Sequence, residues 1–262
     1  MKLYDLSGDL MEIKKITKLK NGKYKIKLDS YEFITYDDII INHNLLYSKQ
    51  IDAELLNILS LETAYYESYN KTLNYCMKKV RSETEVRKYL DKLDIKDIDK
   101  ESIINKLKSI NLIDDRVYVK SYINDKLFLT KDSLNKIKKD LINSNIDVNL
   151  IEDEISKVEY DEIEKLEKMV IKRINSNHKY SSYILKNKII TEMMNLGYNY
   201  DDIVEVYDKN SVDNYNILIK EYNKLYNKYS KKLKDSELEY TIKNKLYLKG
   251  FDYNDIKKED LR

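Results

Sequence analysis

The strongest candidate for binding chemistry in this sequence is a basic stretch near its middle. Residues 116–139 contain seven basic side chains against two acidic ones, Asp125 and Asp132. The seven are Arg116, Lys120, Lys126, Lys131, Lys136, Lys138 and Lys139. Such a stretch could bind phosphate groups or an acidic protein face. The alternative is a solvated helix surface, because lysine-rich faces are ordinary on helices.

Residues that could support catalysis are few. No glycine-rich phosphate loop is present, so nucleotide hydrolysis has no evident cradle. His43 and His178 lie far apart and lack metal-ligand spacing, so each is interpreted as a surface or structural histidine. Asp114 and Asp115 are interpreted as anions at a helix N-terminus, and the single cysteine, Cys76, as a buried, inert thiol. We therefore expect no catalytic residue, no metal site and no cofactor.

The composition predicts a mainly helical protein. Proline is absent from the 262 residues and glycine occurs four times, so little interrupts long helices. The net charge of +2, from 48 basic and 46 acidic residues, argues against a strongly basic nucleic-acid binder. No signal peptide is evident, and no apolar run approaches the roughly 18 residues of a membrane span. With a single cysteine, no internal disulfide is possible, and we expect a protein of the reducing cytoplasm with no membrane partner.

Three sets of apolar residues recur, with a spacing of five positions inside each set. The sets are Leu141, Ile146 and Ile151; Met193, Tyr198 and Ile203; and Leu246, Phe251 and Ile256. A looser copy consists of Leu90, Ile95 and Ile103. Each close copy surrounds a turn residue: Asn145, Gly197 or Gly250. Small helical units of this kind cannot bury an apolar face alone, so they are expected to stack into an elongated array that suits a filament or polymer as partner.

Before the helices, the sequence predicts a small β-structure. Runs of alternating apolar and polar residues flank Asn21 and Gly22, which is a strong hairpin signal because both residues tolerate positive φ. A third strand is predicted at residues 31–35. A short helix then follows through Asn42, opened by the acidic residues at positions 37 and 38.

Helical periodicity continues from about residue 52. Ser82 and Glu85 predict a capping box, and Asn111 predicts a helix C-terminal cap. The charge-dense run 159–172 is expected to form a helix that bridges modules with much of its surface in water. The predicted organisation is a β cap with a short helix (1–50), a linking helix and first three-helix module (51–127), a second module (128–174), a third (175–229) and a partial fourth (230–262). The fold class is therefore mainly α: a small N-terminal β-hairpin or three-stranded cap, then tandem three-helix modules in an elongated, curved array.

Four segments carry a specific resemblance. They read RSETEVRKYL from Arg81, LIDDRVYVKSYINDK from Leu112, GYNYDDI from Gly197 and GFDYNDI from Gly250. They resemble the RecX family of recombinase regulators, and the likeness extends over nearly the whole chain. The leading hairpin and the additional C-terminal module resemble the long members of that family.

Two departures from the family pattern affect the expected contacts. Residues 129–133 replace a Lys-Gly-Pro-like entry to the second module, and lysines follow where the family has arginines. Lysine keeps the charge of arginine without its forked, bidentate geometry, so attraction to phosphate is expected to survive. Asn145 replaces an expected glycine, and asparagine can still adopt the left-handed turn.

The resemblance implies a protein without chemistry of its own that binds the RecA recombinase, chiefly as a filament on DNA. A monomer is expected because a long exposed array needs no partner copy to complete its core. The protein would alter filament growth, ATP hydrolysis and strand exchange in recombination and DNA repair, and would bind single- and double-stranded DNA weakly and in a salt-dependent way. The expected contact residues are the seven basic residues of 116–139 together with Arg81, Arg87 and Lys88. Tyr118 and Tyr122, four apart on one helix, are interpreted as packing residues, with base stacking as the alternative.

The residues alone are also compatible with two other functions. One is a sequence-tolerant DNA-binding helical repeat without a recombinase partner, against which the near-neutral net charge argues. The other is a scaffold for a different protein. Tight DNA binding in the absence of recombinase would favour the first, and absence of both activities would favour the second.

Overall fold

The computed structural model describes residues 10–20, 22–29 and 31–257. The chain divides after Tyr118 into two compact units. The fold is mainly helical with a small N-terminal antiparallel sheet, which confirms the predicted fold class. The elongated, curved arrangement of the modules stays a prediction. Within the described residues, no helix is both long enough and apolar enough to cross a membrane.

A four-stranded antiparallel sheet opens the first unit. Its strands are β1 (Met11–Lys18), β2 (Lys23–Leu28), β3 (Glu32–Tyr36) and β4 (Gln50–Ile51), in the spatial order β3-β2-β1-β4. The predicted hairpin is confirmed: β1 pairs with β2, and Gly22 has φ +68°. Asn21, its other turn residue, lies outside the described residues. The third strand begins one residue later than predicted, and β4, a two-residue strand beside Met11 and Glu12, was not predicted.

A β-bulge shapes the first strand. The register of β1 against β2 shifts between Ile13 and Lys15, which inserts Lys14 as an extra residue. Because of this insertion, Ile13 and Ile16 both pack against the core beneath the sheet, although they are three positions apart. That core also contains buried residues of the helices that follow, so the sheet is attached to the helical part of the first unit by apolar contacts.

The helices of the first unit are α1 (Asp37–Asn42), α2 (Ala53–Met77), α3 (Glu83–Leu90) and α4 (Asp97–Ser109), and α5 (Asp115–Leu129) begins there. The capping box is confirmed, since Ser82 Oγ accepts from the Glu85 amide and the Glu85 side chain accepts from the Ser82 amide. Asn111 has φ +55°, as its predicted capping role requires. Helix α4 begins at Asp97 with an acidic first turn, in which Ile98 is exposed.

The helices of the second unit are α6 (Leu134–Asn143), α7 (Val148–Ser156), α8 (Glu162–Asn175), α9 (Ser182–Asn195), α10 (Tyr200–Asn210), α11 (Tyr215–Tyr229) and α12 (Asp235–Tyr247), followed by a 3-10 helix (Tyr253–Asp255). All nine residues of the three close repeats are buried, which confirms them as core positions. The last copy was expected to contain at least two helices. The described part has α12 and then only the single 3-10 turn, and residues 258–262 lie outside it.

The hydrophobic cores of the second unit group the helices in threes. Helices α8, α9 and α10 share one core, and α11, α12 and the 3-10 helix share another. Each group combines two consecutive helical elements with the helix that precedes them. The predicted modules instead combined two consecutive helices with the helix that follows them. The predicted module boundaries therefore stay predictions. Helix α8, expected to have much of its surface in water, buries one face through Leu166, Val170 and Ile174 and exposes residues such as Glu164 and Lys168.

Two glycine turns pack against helix N-termini. Gly197, between α9 and α10, lies against Ser133, the residue that caps α6. Gly250, after α12, lies against Ser181, which caps α9. We call these contacts the Gly197 joint and the Gly250 joint. Both serines are buried and accept a backbone hydrogen bond three residues along, so each joint is part of the interior of the second unit.

A second kind of contact caps the first backbone amide of α3 and of α6 with a carboxylate from a later helix. Asp115, at the start of α5, accepts from the Glu83 amide of α3 at 2.8 Å. Glu162, at the start of α8, accepts from the Leu134 amide of α6 at 2.6 Å. These carboxylates lie where a helix N-terminus presents unpaired N–H groups and a partial positive charge.

Candidate interaction surfaces

The ten predicted contact residues fall in both units. Arg81, Arg87, Lys88 and Arg116 belong to the first unit, and the six predicted lysines from 120 to 139 belong to the second. The structure brings some of them into shared ion-pair networks and leaves others exposed. The ion-pair partners and the exposure of each residue determine whether its positive charge is available to an external partner.

Two of the arginines are engaged inside the first unit. The Arg81 guanidinium stacks on Tyr75 with its carbon 4.0 Å from the ring centroid, and it pairs with Glu85 at 3.5 Å. Arg87 forms a forked pair with Glu101 and a second pair with Glu83. The hydrogen bond to Glu101 is the largest cause that raises the pKa of Arg87 above its ordinary value. Both arginines stabilise the packing of α3.

The other two predicted residues of the first unit are exposed. Lys88 has no ion-pair partner in the part of the chain that the structure describes. Arg116 lies in the first turn of α5, on its exposed side. Lys88 therefore presents its positive charge at the surface of this unit, and the Arg116 side chain is exposed there.

In the second unit, Asp132 brings Lys126 and Lys136 together. Its carboxylate lies 3.2 Å from the Lys126 amine and 2.9 Å from the Lys136 amine. Burial raises the pKa of Asp132, but the hydrogen bonds from Lys136 and Lys126 outweigh burial, and the net pKa is lowered. Lys126 also covers the half-buried Tyr122 ring at 5.5 Å. These two lysines are engaged inside the unit, next to the Gly197 joint.

The remaining predicted lysines differ from one another. Lys138 pairs with Glu152 of α7 at 2.6 Å. Lys120, Lys131 and Lys139 are exposed, and none has an ion-pair partner within the described residues. Of the six lysines predicted in this unit, these three retain an uncompensated charge that an external anion could meet.

The residues weighed for catalysis have structural environments. His43 Nε2 lies 2.9 Å from a Glu62 carboxylate oxygen, and His178 is exposed. Cys76 is buried in the core of the first unit, where burial raises the pKa of its thiol. Asp114 accepts from two amides of its own helix and Asp115 caps α3, as expected for helix-terminal anions. The described residues contain no cluster of metal-ligating side chains.

Sequence reasoning missed one half-buried lysine and one basic surface. The Lys165 amine donates to the carbonyls of Leu127 and Asp132, and burial lowers its pKa. The missed surface is the exposed face of α11, where lysines recur every four residues. That spacing could have been read from the sequence, but the acidic residues before and after the helix hide it in a count over a longer segment.

Comparison with known proteins decides the family. No profile of a known protein family matches the chain. The Regulatory protein RecX of Finegoldia magna is 34% identical over 193 residues, covering 70% of this chain and 91% of that protein. The Regulatory protein RecX of Streptococcus agalactiae serotype V is 31% identical over 253 residues, covering 93% and 97%. The chain belongs to the RecX family.

Solved structures agree with the family assignment. A crystal structure of regulatory protein RecX superposes with a TM-score of 0.60 at 22% identity, covering 76% of this RecX-family chain and 98% of the other. The crystal structure of RecX from Lactobacillus salivarius gives a TM-score of 0.51 at 30% identity, covering 57% and 98%. The resemblance read from the four motifs is thereby confirmed, and the protein is a regulatory protein of the RecX family.

Proposed function

We propose that this protein is a non-enzymatic regulator that binds the RecA recombinase assembled on DNA and inhibits its filament growth, ATP hydrolysis and strand exchange. The observation that carries the proposal is the tandem set of helical modules in a chain of the RecX family. A filament presents the same surface at each successive subunit. Modules in series can therefore contact several subunits at once.

Repeated weak contacts explain how a non-enzymatic protein could act on a filament. Once one module is bound, the next binds its site as an intramolecular event at high effective concentration. Total affinity then exceeds that of any single module without a deep pocket. A regulator bound across neighbouring subunits would oppose their addition and release, so few molecules would affect many subunits.

The environments of the predicted residues indicate which should contact the recombinase or its DNA. Lys120, Lys131 and Lys139 are exposed and uncompensated in the second unit, and Lys88 is so in the first. Replacing Arg87 or Lys136 would disturb internal ion pairs as well as any external contact. The three exposed lysines of the second unit are therefore the cleaner test of contact.

The decisive experiment is a titration of this protein into the cognate RecA recombinase hydrolysing ATP on single-stranded DNA. We expect inhibition well below one molecule per recombinase subunit. The test variant is K120Q/K131Q/K139Q. The matched control is K71Q/K168Q/K243Q, which removes the same charge from helix-surface lysines paired with Glu67, Glu164 and Glu239.

The outcomes separate the function from the assigned contacts. The test variant should need several-fold more protein for half-maximal inhibition, while the control matches the wild type. If both variants inhibit like the wild type, the three lysines are not contacts. If the wild type has no effect at several-fold excess over recombinase, the proposed function is wrong.

A further inference from the structure

The exposed face of α11 has an unusual composition. Every exposed side chain of this 15-residue helix is lysine or asparagine. They are Asn216, Lys220, Asn223, Lys224, Asn227 and Lys228. The three residues exposed directly after the helix are also lysines: Lys231, Lys232 and Lys234. We call these nine residues the α11 surface; it contains no acidic and no apolar side chain.

The charges of the α11 surface are not neutralised internally. The one acidic residue of the helix, Glu221, faces the interior and is bound by Lys249. It approaches a lysine of the surface only at Lys224, at the long distance of 3.9 Å. Lys220 and Lys228 have no ion-pair partner in the described parts of the chain, nor have the three lysines after the helix.

This arrangement weakens the helix itself. Lys220, Lys224 and Lys228 stand four residues apart, so their charges stack on one side of the helix. Each such like-charged pair costs roughly 0.2 to 0.5 kcal/mol by analogy with opposite-charge pairs of the same spacing. Lysines near a helix C-terminus interact favourably with the helix dipole, but that effect is confined to the last turn and does not reach Lys220 or Lys224. These lysines therefore do not contribute to the stability of the helix through pairing with one another.

The neighbouring helix shows the ordinary alternative. Helix α12 packs against α11 in the same core, and its exposed residues include acidic, basic and aromatic side chains. Lys243 of α12 pairs with Glu239 at 3.1 Å, four residues away. Abundant lysine in this chain is therefore compatible with charge pairing on a helix surface, and α11 differs in having only the long Lys224–Glu221 pair.

The chemistry of the α11 surface selects the class of partner. Protein interfaces have an apolar or aromatic centre and are depleted in lysine. Phosphate and sugar oxygens of nucleic acids, by contrast, are contacted by lysine together with asparagine and other polar side chains. We propose that the α11 surface binds the phosphate backbone of single-stranded DNA without base specificity, in the absence of recombinase.

The length of the surface suggests how many phosphates it contacts. From Lys220 to Lys228 the helix rises about 12 Å, at 1.5 Å per residue. Three lysines along this length and three in the following turn present up to six ammonium groups to one strand. Each phosphate neutralised on single-stranded DNA contributes roughly 0.7 to the slope of log affinity against log salt concentration. The measured slope therefore gives the number of phosphates that the lysines contact.

The test uses the full chain and a fluorescein-labelled single-stranded oligodeoxythymidylate of 30 nucleotides. Fluorescence anisotropy would measure affinity over a series of sodium chloride concentrations. The test variant is K220Q/K224Q/K228Q, and the control is K71Q/K168Q/K243Q, which changes the net charge equally at lysines already paired with glutamate. Circular dichroism confirms that both variants keep the helical content of the wild type.

We expect the test variant to bind at least about tenfold more weakly at low salt, with a salt slope shallower by about 2. The control should retain the affinity and slope of the wild type. Absence of binding by the wild type, or equal losses in the two variants, would overturn the proposal. So would a test variant that binds DNA normally but fails to inhibit the recombinase, since that result identifies an acidic protein as the partner. Because the DNA assay contains no recombinase, it does not depend on the proposed regulatory function.

Discussion

The Gly197 joint and the Gly250 joint use the same device with different tolerances. A β-carbon at Gly197 would lie 2.4 Å from Ser133 Oγ, 2.7 Å from Lys136 Cβ and 3.0 Å from the Lys136 backbone nitrogen. A β-carbon at Gly250 would lie 2.6 Å from Ser181 Oγ and 2.9 Å from Ile184 Cγ1. At the Gly197 joint the atoms that face the turn include a backbone nitrogen and a β-carbon, which no change of rotamer can move. At the Gly250 joint the atoms that face the turn belong to side chains that can change rotamer.

The Gly197 joint is also held by direct hydrogen bonds. The Ser133 amide donates to the Leu196 carbonyl at 2.9 Å, and the Tyr198 hydroxyl donates to the Lys131 carbonyl at 3.3 Å. Glycine therefore recurs at the same repeat position for two different reasons. At Gly197 it permits close approach of backbone, and at Gly250 it permits packing of side chains. Substitutions at the two joints should therefore have unequal effects.

The largest effect is expected for Gly197→Ala. A non-glycine residue at φ +89° costs roughly 1 to 2 kcal/mol, and overpacking against rigid neighbours adds roughly 1 to 3 kcal/mol. Urea denaturation should show a loss of about 2 to 5 kcal/mol in the free energy of unfolding of the second unit. A loss below about 1 kcal/mol would show that the joint moves freely, which would remove the distinction between the joints.

Gly250→Ala should destabilise less. Its φ of +74° imposes a comparable backbone cost, but Ser181 and Ile184 can change rotamer to admit the methyl group. We expect a loss of about 1 to 3 kcal/mol. Measured in the same urea series, a loss equal to or larger than that of Gly197→Ala would reverse the proposed order.

A third change tests the charge present at only one of the joints. Asp132 precedes the capping serine of the Gly197 joint, and Tyr180 holds the equivalent place beside Ser181. Because the folded-state pKa of Asp132 is lowered, its contribution to stability is present above the unfolded pKa, near 3.9, and is lost as the pH falls through the lowered value. Asp132→Asn should cost about 2 kcal/mol at neutral pH, through two lost charge-assisted hydrogen bonds.

The pH dependence distinguishes this loss from a general one. The difference in unfolding free energy between the wild type and Asp132→Asn should shrink as the pH falls below about 4, where the carboxylate of the unfolded chain becomes protonated, and should vanish below the lowered folded-state pKa. A difference that stays constant from pH 7 to pH 3 would mean that the carboxylate charge does not contribute. Gly250→Ala, at the joint whose capping serine has no carboxylate before it, serves as the reference and should show no such convergence.

The smallest effect is expected for Asn145→Gly. Asn145 occupies the same repeat position as the two glycines and has φ +59°, which asparagine tolerates. Glycine would relieve the remaining strain but would increase the entropy of the unfolded chain, so the two effects oppose each other. We expect a change within about 0.5 kcal/mol by urea denaturation, and a gain above about 1 kcal/mol would show that this turn is strained.

The parts of the fold that sequence predicted depend on local patterns. The repeat residues, the capping box at Ser82 and the hairpin at Gly22 each follow from spacing or turn chemistry within about a dozen residues. The joints could not be predicted in this way. Gly197 and Ser133 are far apart along the chain, and nothing in the local pattern pairs a turn with a particular helix N-terminus.

The candidate contacts show the same limit. The sequence identifies where lysine and arginine accumulate, but their free charge depends on acids from other helices, such as Glu101 for Arg87 and Glu152 for Lys138. Counting charges over a segment therefore overestimated the basic surface around residues 116–139. The α11 surface was overlooked for the opposite reason, because acidic residues that flank the helix, and Glu221 which faces the interior, balance its lysines in a count along the sequence.

The carboxylates that cap α3 and α6 have a consequence for synthesis on the ribosome. The Glu83 amide finds its acceptor, Asp115, 32 residues later, and the Leu134 amide finds Glu162 28 residues later. At roughly 5 to 20 residues per second, the ribosome adds the capping residue about 1.5 to 6 seconds after it has made the N-terminus of the helix. Translation thus supplies the capping carboxylate only after the rest of α3 or α6 has been made, and a pause within either interval would prolong the time that the helix spends without this cap.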